Sequence, residues 1–207
     1  MYKKVIGIYL AAGRSTRFKR NKIKALVHGR SLGSIALTEA LQTTLNHIVV
    51  VINQTDDLSW LPSSYRQHYA QKLSFTTVYH MPYGQAHSLQ QGLLRANAIQ
   101  RDAAIMVMLA DQPFVNESIL NSIIEIYRKK EDYKCVGLKH PFISPPIIIS
   151  PSLFQEIYQL KGDEGARKLI EQHRHESYFL QMNTPNVLVD IDTQEDLNKW
   201  IDFLDDY

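Results

Sequence analysis

The sequence predicts an α/β domain in three layers, a mainly parallel sheet covered by helices on both faces. Three observations lead there. The strands His47–Asn53 (HIVVVIN) and Ala104–Leu109 (AIMVML) are continuous apolar runs, the pattern of strands buried on both faces. Segments with helical apolar spacing separate them. A length of 207 residues suits one domain with a substantial core.

Taken in order, Val5–Leu10 is the first strand. It opens into Ala11, Ala12 and Gly13, small enough to let a ligand approach the backbone. Ser34–Leu45 reads as a helix and His47–Asn53 as the second strand. Tyr65–Lys72 is helical or irregular, and Leu73–Tyr79 is a short strand. Gln85–Asn97 carries Leu89, Leu93 and Leu94 at helical spacing, with Ser88 in its first turn. Ala104–Leu109 stops just before Asp111. Glu117–Lys129 is amphipathic, with Ile119, Leu120, Ile123, Ile124 and Tyr127 on one side. Beyond Asp132, strands Cys135–Leu138 and Ile147–Ser150 flank a turn rich in proline (Pro141, Pro145, Pro146). Two short helices follow, Pro151–Leu160 and Gly165–Gln172. Val187–Asp192 reads as a last strand and Thr193–Leu204 as a last helix, with Thr193 as N-cap and Asp196 placed for a capping box. With no repeat, low-complexity tract or linker, the chain reads as one domain over residues 1–207.

Composition excludes several classes. A balance of 23 basic to 21 acidic residues, net +2, is too weak for a nucleic-acid binder. The lone Cys135 excludes an internal disulfide and a multi-cysteine metal site, and reads as a small buried hydrophobe. The apolar start is too short for a signal peptide and runs into arginines, and no segment approaches a membrane span of about 20 residues. The expected location is the cytoplasm, with no membrane partner.

In an open parallel sheet, ligands sit beyond the carboxyl ends of the strands, and three features fall there. The first is a cationic loop: Arg14, Arg17, Lys19, Arg20, Lys22 and Lys24 follow the first strand closely. It reads either as a solvated basic loop or as a triphosphate cradle. It lacks a Gly-Lys-Ser/Thr ending and the glycine spacing of a dinucleotide fingerprint. The second is Asp111 in MLADQPF, either a turn residue or a ligand for a hard cation such as Mg²⁺. The third is Asp190 with Asp192 in VLVDIDTQEDL, where Asp192 also suits a helix cap. Together they describe a metal-bridged triphosphate site. The histidines are scattered and form no ligand set. His173 and His175, two apart, would face different sides of a helix.

These residues resemble a known family. LAAGRSTRFKRNK is similar to the signature loop of nucleotidyltransferases related to the molybdenum cofactor cytidylyl- and guanylyltransferases, with Leu10, Ala11, Ala12, Gly13, Ser15 or Thr16, Arg17, Phe18 and Lys22 filling the pattern. GQAHSLQQGL (Gly84 to Leu93), MLADQP (Met108 to Pro113), LKGDEGARKLI (Leu160 to Ile170) and VDIDTQEDL (Val189 to Leu197) resemble its later motifs, in order. Three positions depart. Lys19 replaces a glycine after Phe18, Ser144-Pro145-Pro146 replaces Gly-(His/Asn)-Pro on the side where the family binds its pterin, and Gln194 replaces a proline.

The resemblance implies a Rossmann-like nucleotidyltransferase fold. Its nucleotide-binding part covers about residues 1–132 and its acceptor-binding part about 133–207. Leu10, Ala11, Ala12, Gly13 and Arg14 would wrap the nucleotide, with Gly84 and Ser88 near base and ribose. Arg17 and Lys22 would neutralise the triphosphate, and Asp111 with Asp192 would hold Mg²⁺. Asp163 and Arg167 would contact the acceptor. The implied reaction moves CMP from CTP to the terminal phosphate of molybdopterin and releases pyrophosphate, for a molybdenum hydroxylase such as xanthine dehydrogenase. Ala12 favours CTP, because the cytidylyl branch and its purine-catabolism-type members read L-A-A-G and a Cβ there narrows the base pocket. The alternatives are a guanylyltransferase, a sugar- or polyol-phosphate nucleotidyltransferase, and a non-catalytic cofactor carrier.

Overall fold

A computed structural model describes residues 3–13, 18, 21–79, 84–130, 132–139, 143–182 and 186–204. Its core is a seven-stranded sheet built from β1 (Val5–Leu10), β4 (His47–Asn53), β5 (Leu73–Val78), β6 (Ala104–Leu109), β7 (Cys135–Lys139), β8 (Ile143–Ile149) and β9 (Ser177–Gln181). The order is β5-β4-β1-β6-β8-β7-β9, and only β8 runs against the others. A small hairpin, β2 (Leu26–Val27) with β3 (Arg30–Ser31), stands apart.

Period-two alternation divides the central strands between two cores. Val5 and Tyr9 of β1, with Val50 and Met106, pack under α1 (Leu32–Gln42) and α4 (Glu117–Lys129). Ile6 and Ile8, with Val49, Val51, Ile105 and Val107, pack under α3 (Gly84–Ile99), α5 (Phe154–Gln159) and α6 (Ala166–Gln172). Both faces are covered, which is why these strands are apolar throughout. α3 lies so close to the sheet that a Cβ on Gly92 would stand 2.5 Å from Ile8 Cγ2. A third cluster, with Phe18, Leu32, Phe114, Ile191 and Leu197, fastens the hairpin and α7 (Gln194–Trp200) beyond the carboxyl end of the sheet. The short α2 (Tyr65–His68) occupies the β4–β5 connection.

β1, β4 and β6 have their expected bounds, as does α4, whose Asn116 side chain accepts from Ile119 N–H at its N-cap. The expected capping box of α7 is present, Thr193 and Asp196 each satisfying the other's backbone. Other expectations need correction. The first helix starts at Leu32, directly after β3, and not at Ser34. Val187–Asp192 is not a strand: it turns across the end of the sheet, with Val189 N–H bonded to Asn186 O and Ile191 N–H to Asp111 O. Its backbone joins the chain after β6 by this one bond and forms no ladder. Pro145 and Pro146 lie inside β8 and not in a turn. They fall between the pairs Gly137↔Ile147 and Leu138↔Ser144, where the register shifts and no ladder N–H is required. β9 is a half-exposed edge strand whose polar ends hide it from an apolar-run search.

At the far edge, His173 joins α5 to the turn before β9. Its Nε2 lies 2.8 Å from Glu156 Oε2 and its Nδ1 3.2 Å from Glu176 Oε1. Glu156 foremost, then Glu176, outweighs partial burial and holds the ring above the ordinary histidine pKa. A raised folded-state pKa adds stability that is complete below about pH 6.5 and disappears as pH rises through the raised value. Both carboxylates are substantially exposed, so the effect is modest. Between about pH 6 and pH 9 the wild type is expected to lose about 0.5–1 kcal/mol more than His173→Gln, or about 1–3 °C in melting temperature. Parallel pH profiles in calorimetry would remove the assignment.

Candidate active site

The carboxyl end of β1 is a topological switch point. From β1 the sheet is built outward through β4 and β5 on one side and through β6 on the other, and such a point opens a crevice for ligands. The chain leaves β1 flush with its neighbours: Ala11 N–H bonds to Val51 O at 2.9 Å, and Leu10 O accepts from Ala110 N–H at 3.2 Å. Ala11 is buried, Leu10 and Ala12 half-buried, and Gly13 exposed. They rise as a crest over the switch point. Arg14, Arg17, Lys19 and Arg20 lie outside the described residues.

The loop returns as a 3-10 turn, Lys22–Lys24, seated by the buried Ile23 against the start of α1. A Cβ on Gly33 would stand 2.8 Å from Ile23 Cβ, so the turn and helix are in tight contact. From this anchor the side chain of Lys22 reaches across the crevice. Its Nζ lies 2.5 Å from Asp111 Oδ2 and 2.7 Å from Asp192 Oδ1. Three segments far apart in sequence therefore meet on one ammonium. Burial alone pulls the Lys22 pKa down, but the charges and hydrogen bonds of Asp111 and Asp192 outweigh it and hold it above the ordinary lysine value. The second oxygen of Asp111, Oδ1, is buried and has no hydrogen-bond partner.

Behind this pair lies a second layer. Gln112, 1% exposed, donates from Nε2 to Asp190 Oδ1 at 2.9 Å and to Ser144 Oγ at 3.3 Å. Its own Oε1 is buried without a partner. Asp190 is exposed as a residue, yet its carboxyl faces into the cluster. Loss of water around that carboxyl, then the charge of Asp111, pushes it up to about 6. Tyr9 closes the floor, its buried hydroxyl donating to Gly33 O at 2.9 Å. Burial and the nearby Asp111 keep the phenol protonated.

The other expected residues fall at some remove or elsewhere. Gly84 opens α3 with φ +58°, and a Cβ there would stand 2.1 Å from Gly162 O and 2.7 Å from Asp163 Oδ1. Glycine is required by this backbone contact, whatever ligand lies near. Ala86 N–H bonds to the same Gly162 O at 3.1 Å. The structure thus joins Gly84 to Asp163, the first expected on the nucleotide and the second on the acceptor. Ser88 is half-buried one turn further along α3. Arg167 is exposed on α6, its Nε 3.0 Å from Glu171 Oε1. Lys24 departs from the picture of a shared cationic loop: it pairs with Asp57 at 2.6 Å in the loop after β4. Asp192 does not cap α7, because Thr193 does, which frees its carboxylate for Lys22. Sequence reasoning missed Gln112 and Ser144. The signal was a polar residue directly after Asp111 and another at the start of a strand.

Three comparisons bear on this geometry. A family model described as MobA-like NTP transferase domain matches residues 7–177. The purine catabolism protein PucB of Bacillus subtilis (strain 168) is 33% identical over 196 residues, covering 93% of this chain and 93% of that protein. Rv0371c from Mycobacterium tuberculosis H37Rv superposes with a TM-score of 0.76 at 24% identity, over 98% of this chain and 100% of that one. A structure of Rv0371c in complex with manganese matches with a TM-score of 0.73 at 22% identity, over 96% and 98%. The 4-diphosphocytidyl-2C-methyl-D-erythritol synthase of Anaerococcus prevotii DSM 20548 gives 0.73 at 18%, over 98% and 96%. At these identities the solved structures attest the fold alone.

Removing Lys22 leaves Asp111 and Asp192 facing each other at the edge of a buried cluster. Lys22→Met is expected to lower stability by about 2–4 kcal/mol in urea unfolding, the scale for stranding a largely buried charge. Pairing Lys22→Met with Asp111→Asn should cost about 1–3 kcal/mol less than the sum of the single changes. Additive single changes would mean that the bridge is not formed in solution.

Proposed function

The chain belongs to the MobA-like NTP transferase domain family and is a nucleotidyltransferase, and we propose that it transfers CMP from CTP to the terminal phosphate of a molybdopterin-type acceptor. The observation that carries the catalytic part is the meeting of Lys22, Asp111 and Asp192 at the switch point of the sheet. A cation beside two carboxylates is the arrangement that a triphosphate and a hard divalent ion require.

The residues fit such an ion. The donors are all oxygen, and Asp111 Oδ1 is a buried carboxylate oxygen with no partner. Among the described residues no three His, Cys, Asp or Glu side chains gather to enclose a metal. Two carboxylates completed by phosphate oxygens and water is how Mg²⁺ is commonly held. Asp111 and Asp192 would hold it, and when bound it supplies positive charge to the phosphates.

The reaction forms a bond from an oxygen of the acceptor phosphate to the α-phosphorus and breaks the bond from that phosphorus to the bridging β-oxygen. The electron pair leaves with pyrophosphate. The nucleophile is already anionic, so no protein base is needed. Lys22, kept protonated by its two carboxylates, neutralises charge developing around the α-phosphorus, and Arg17 acts with it. In this reading the crest Leu10–Gly13 lies along the base and phosphates and Arg14 joins it in holding the nucleotide, with Gly84 and Ser88 toward base and ribose, and Asp163 and Arg167 on the acceptor side. The half-buried Ala12 restricts the base pocket and so supports CTP over GTP. The relative's designation as a purine catabolism protein is in keeping with a molybdenum hydroxylase as the client. The site works in the cytoplasm, and among the described residues no helix is long and apolar enough to cross a membrane.

Pyrophosphate release with each of the four nucleoside triphosphates and molybdopterin tests this reading. CTP is expected to give the highest kcat/KM, and preference for GTP would overturn the base assignment. Asp111→Ala should lower turnover about 10²–10³-fold with the fold retained. Cofactor binding without turnover, and an Asp111→Ala protein indistinguishable from wild type, would identify a carrier instead. Ala12→Gly should partly relax selection toward GTP, by about 1–3 kcal/mol of discrimination. An unchanged CTP/GTP ratio would remove Ala12 from base selection.

A further inference from the structure

We infer that Gln112 is the positioning residue that sets Asp192 opposite Asp111, so that the two carboxylates share one cation. The inference rests on the reading of Asp111 and Asp192 as the metal-binding pair. Asp192 belongs to a segment that no sheet ladder holds: residues 190–192 turn across the end of β6. Among the described residues four groups fasten it, one of them the Lys22 ammonium, 2.7 Å from Asp192 Oδ1. Ile191 N–H bonds to Asp111 O at 2.9 Å. Asp196 Oδ2 accepts from Asp192 N–H at 3.1 Å and from Thr193 N–H at 2.8 Å, from the side of α7. Gln112 Nε2 donates to Asp190 Oδ1 at 2.9 Å, from the side of the sheet. Gln112 therefore ties this strap at Asp190 to the strand end bearing Asp111, alongside the Lys22 bridge at Asp192. Through Ser144 Oγ, at 3.3 Å, it ties both to the start of β8.

The chemistry of the amide supports the role. Gln112 is buried, and its Oε1 has no partner. A buried acceptor left unmet calls for an explanation. The explanation is orientation: Nε2 must face Asp190, since the reverse setting would place two acceptor oxygens against each other. A side chain kept in a self-unsatisfied state to hold a carboxylate two residues from a metal ligand is acting through that ligand. Outer partners of this kind typically change metal affinity about 10–100-fold when removed.

The test measures Mn²⁺ binding to the whole protein without substrates, by electron paramagnetic resonance of the free ion, alongside thermal melts. Gln112→Met keeps the length and apolar bulk of the side chain and removes the amide donor. It is expected to weaken Mn²⁺ binding about tenfold or more while the melting temperature stays within a few degrees. Asp190→Leu breaks the same bond from the exposed side, so it serves even where the buried change harms folding. It should weaken binding similarly, and the double variant should be no worse than either single change. Asp190→Asn keeps an acceptor for Gln112 and should bind Mn²⁺ close to the wild type. If wild type binds Mn²⁺ and both Gln112→Met and Asp190→Leu bind it equally well, the positioning role is overturned and the metal pair stands. If wild type binds no Mn²⁺, the metal pair falls and this inference with it.

Discussion

A single ammonium group draws together three distant segments at the carboxyl end of the central strands. Lys22 comes from the loop after β1, Asp111 from the end of β6 and Asp192 from the strap before α7, and their charged atoms meet within 2.7 Å. A buried cation with one counter-ion would be poorly compensated, and two facing carboxylates without a cation would repel. Each group is stabilised by the others. The surrounding structure is arranged to deliver them: Ile23 seats the lysine, the Ile191–Asp111 backbone bond aligns the strap, and Thr193, not Asp192, caps α7.

The same region departs from the rule that buried polar atoms are satisfied. Asp111 Oδ1 and Gln112 Oε1 are the unpartnered buried side-chain atoms among the described residues, and they are sequence neighbours at one strand end. A crowded carboxyl, Asp190, lies beside them. Polar groups held in unfavourable surroundings mark a site shaped for something other than folding. The two apolar cores on the faces of the sheet supply the rigidity that keeps them there.

The segments before and after residue 132 are joined by backbone as well as by side chains. β8 enters antiparallel between β6 and β7, so the strands of the second half join the sheet of the first. At the start of α3, Gly84 and Gly162 lie so close that no side chain fits between them.

Much of this was legible in the residues. Continuous apolar runs gave β1, β4 and β6 their bounds, because a strand buried on both faces must be apolar throughout. The order of small residues, cations and strand-end carboxylates pointed to one site, because the carboxyl ends of parallel strands share one edge of the sheet. What the residues alone left open was set by contacts between distant segments. An edge strand such as β9 is half polar and carries no distinct period. Val187–Asp192 has the composition of a strand, yet no sheet edge is available where it passes. The resemblance set Lys22 apart from Lys24, but the partners of both and the part played by Gln112 were open: polar side chains near a strand end look alike until the fold supplies their partners. Periodicity reports which side of an element faces the core. Only the tertiary structure decides which polar group reaches which, because a difference of a few ångströms separates a shared ion pair from a solvated charge.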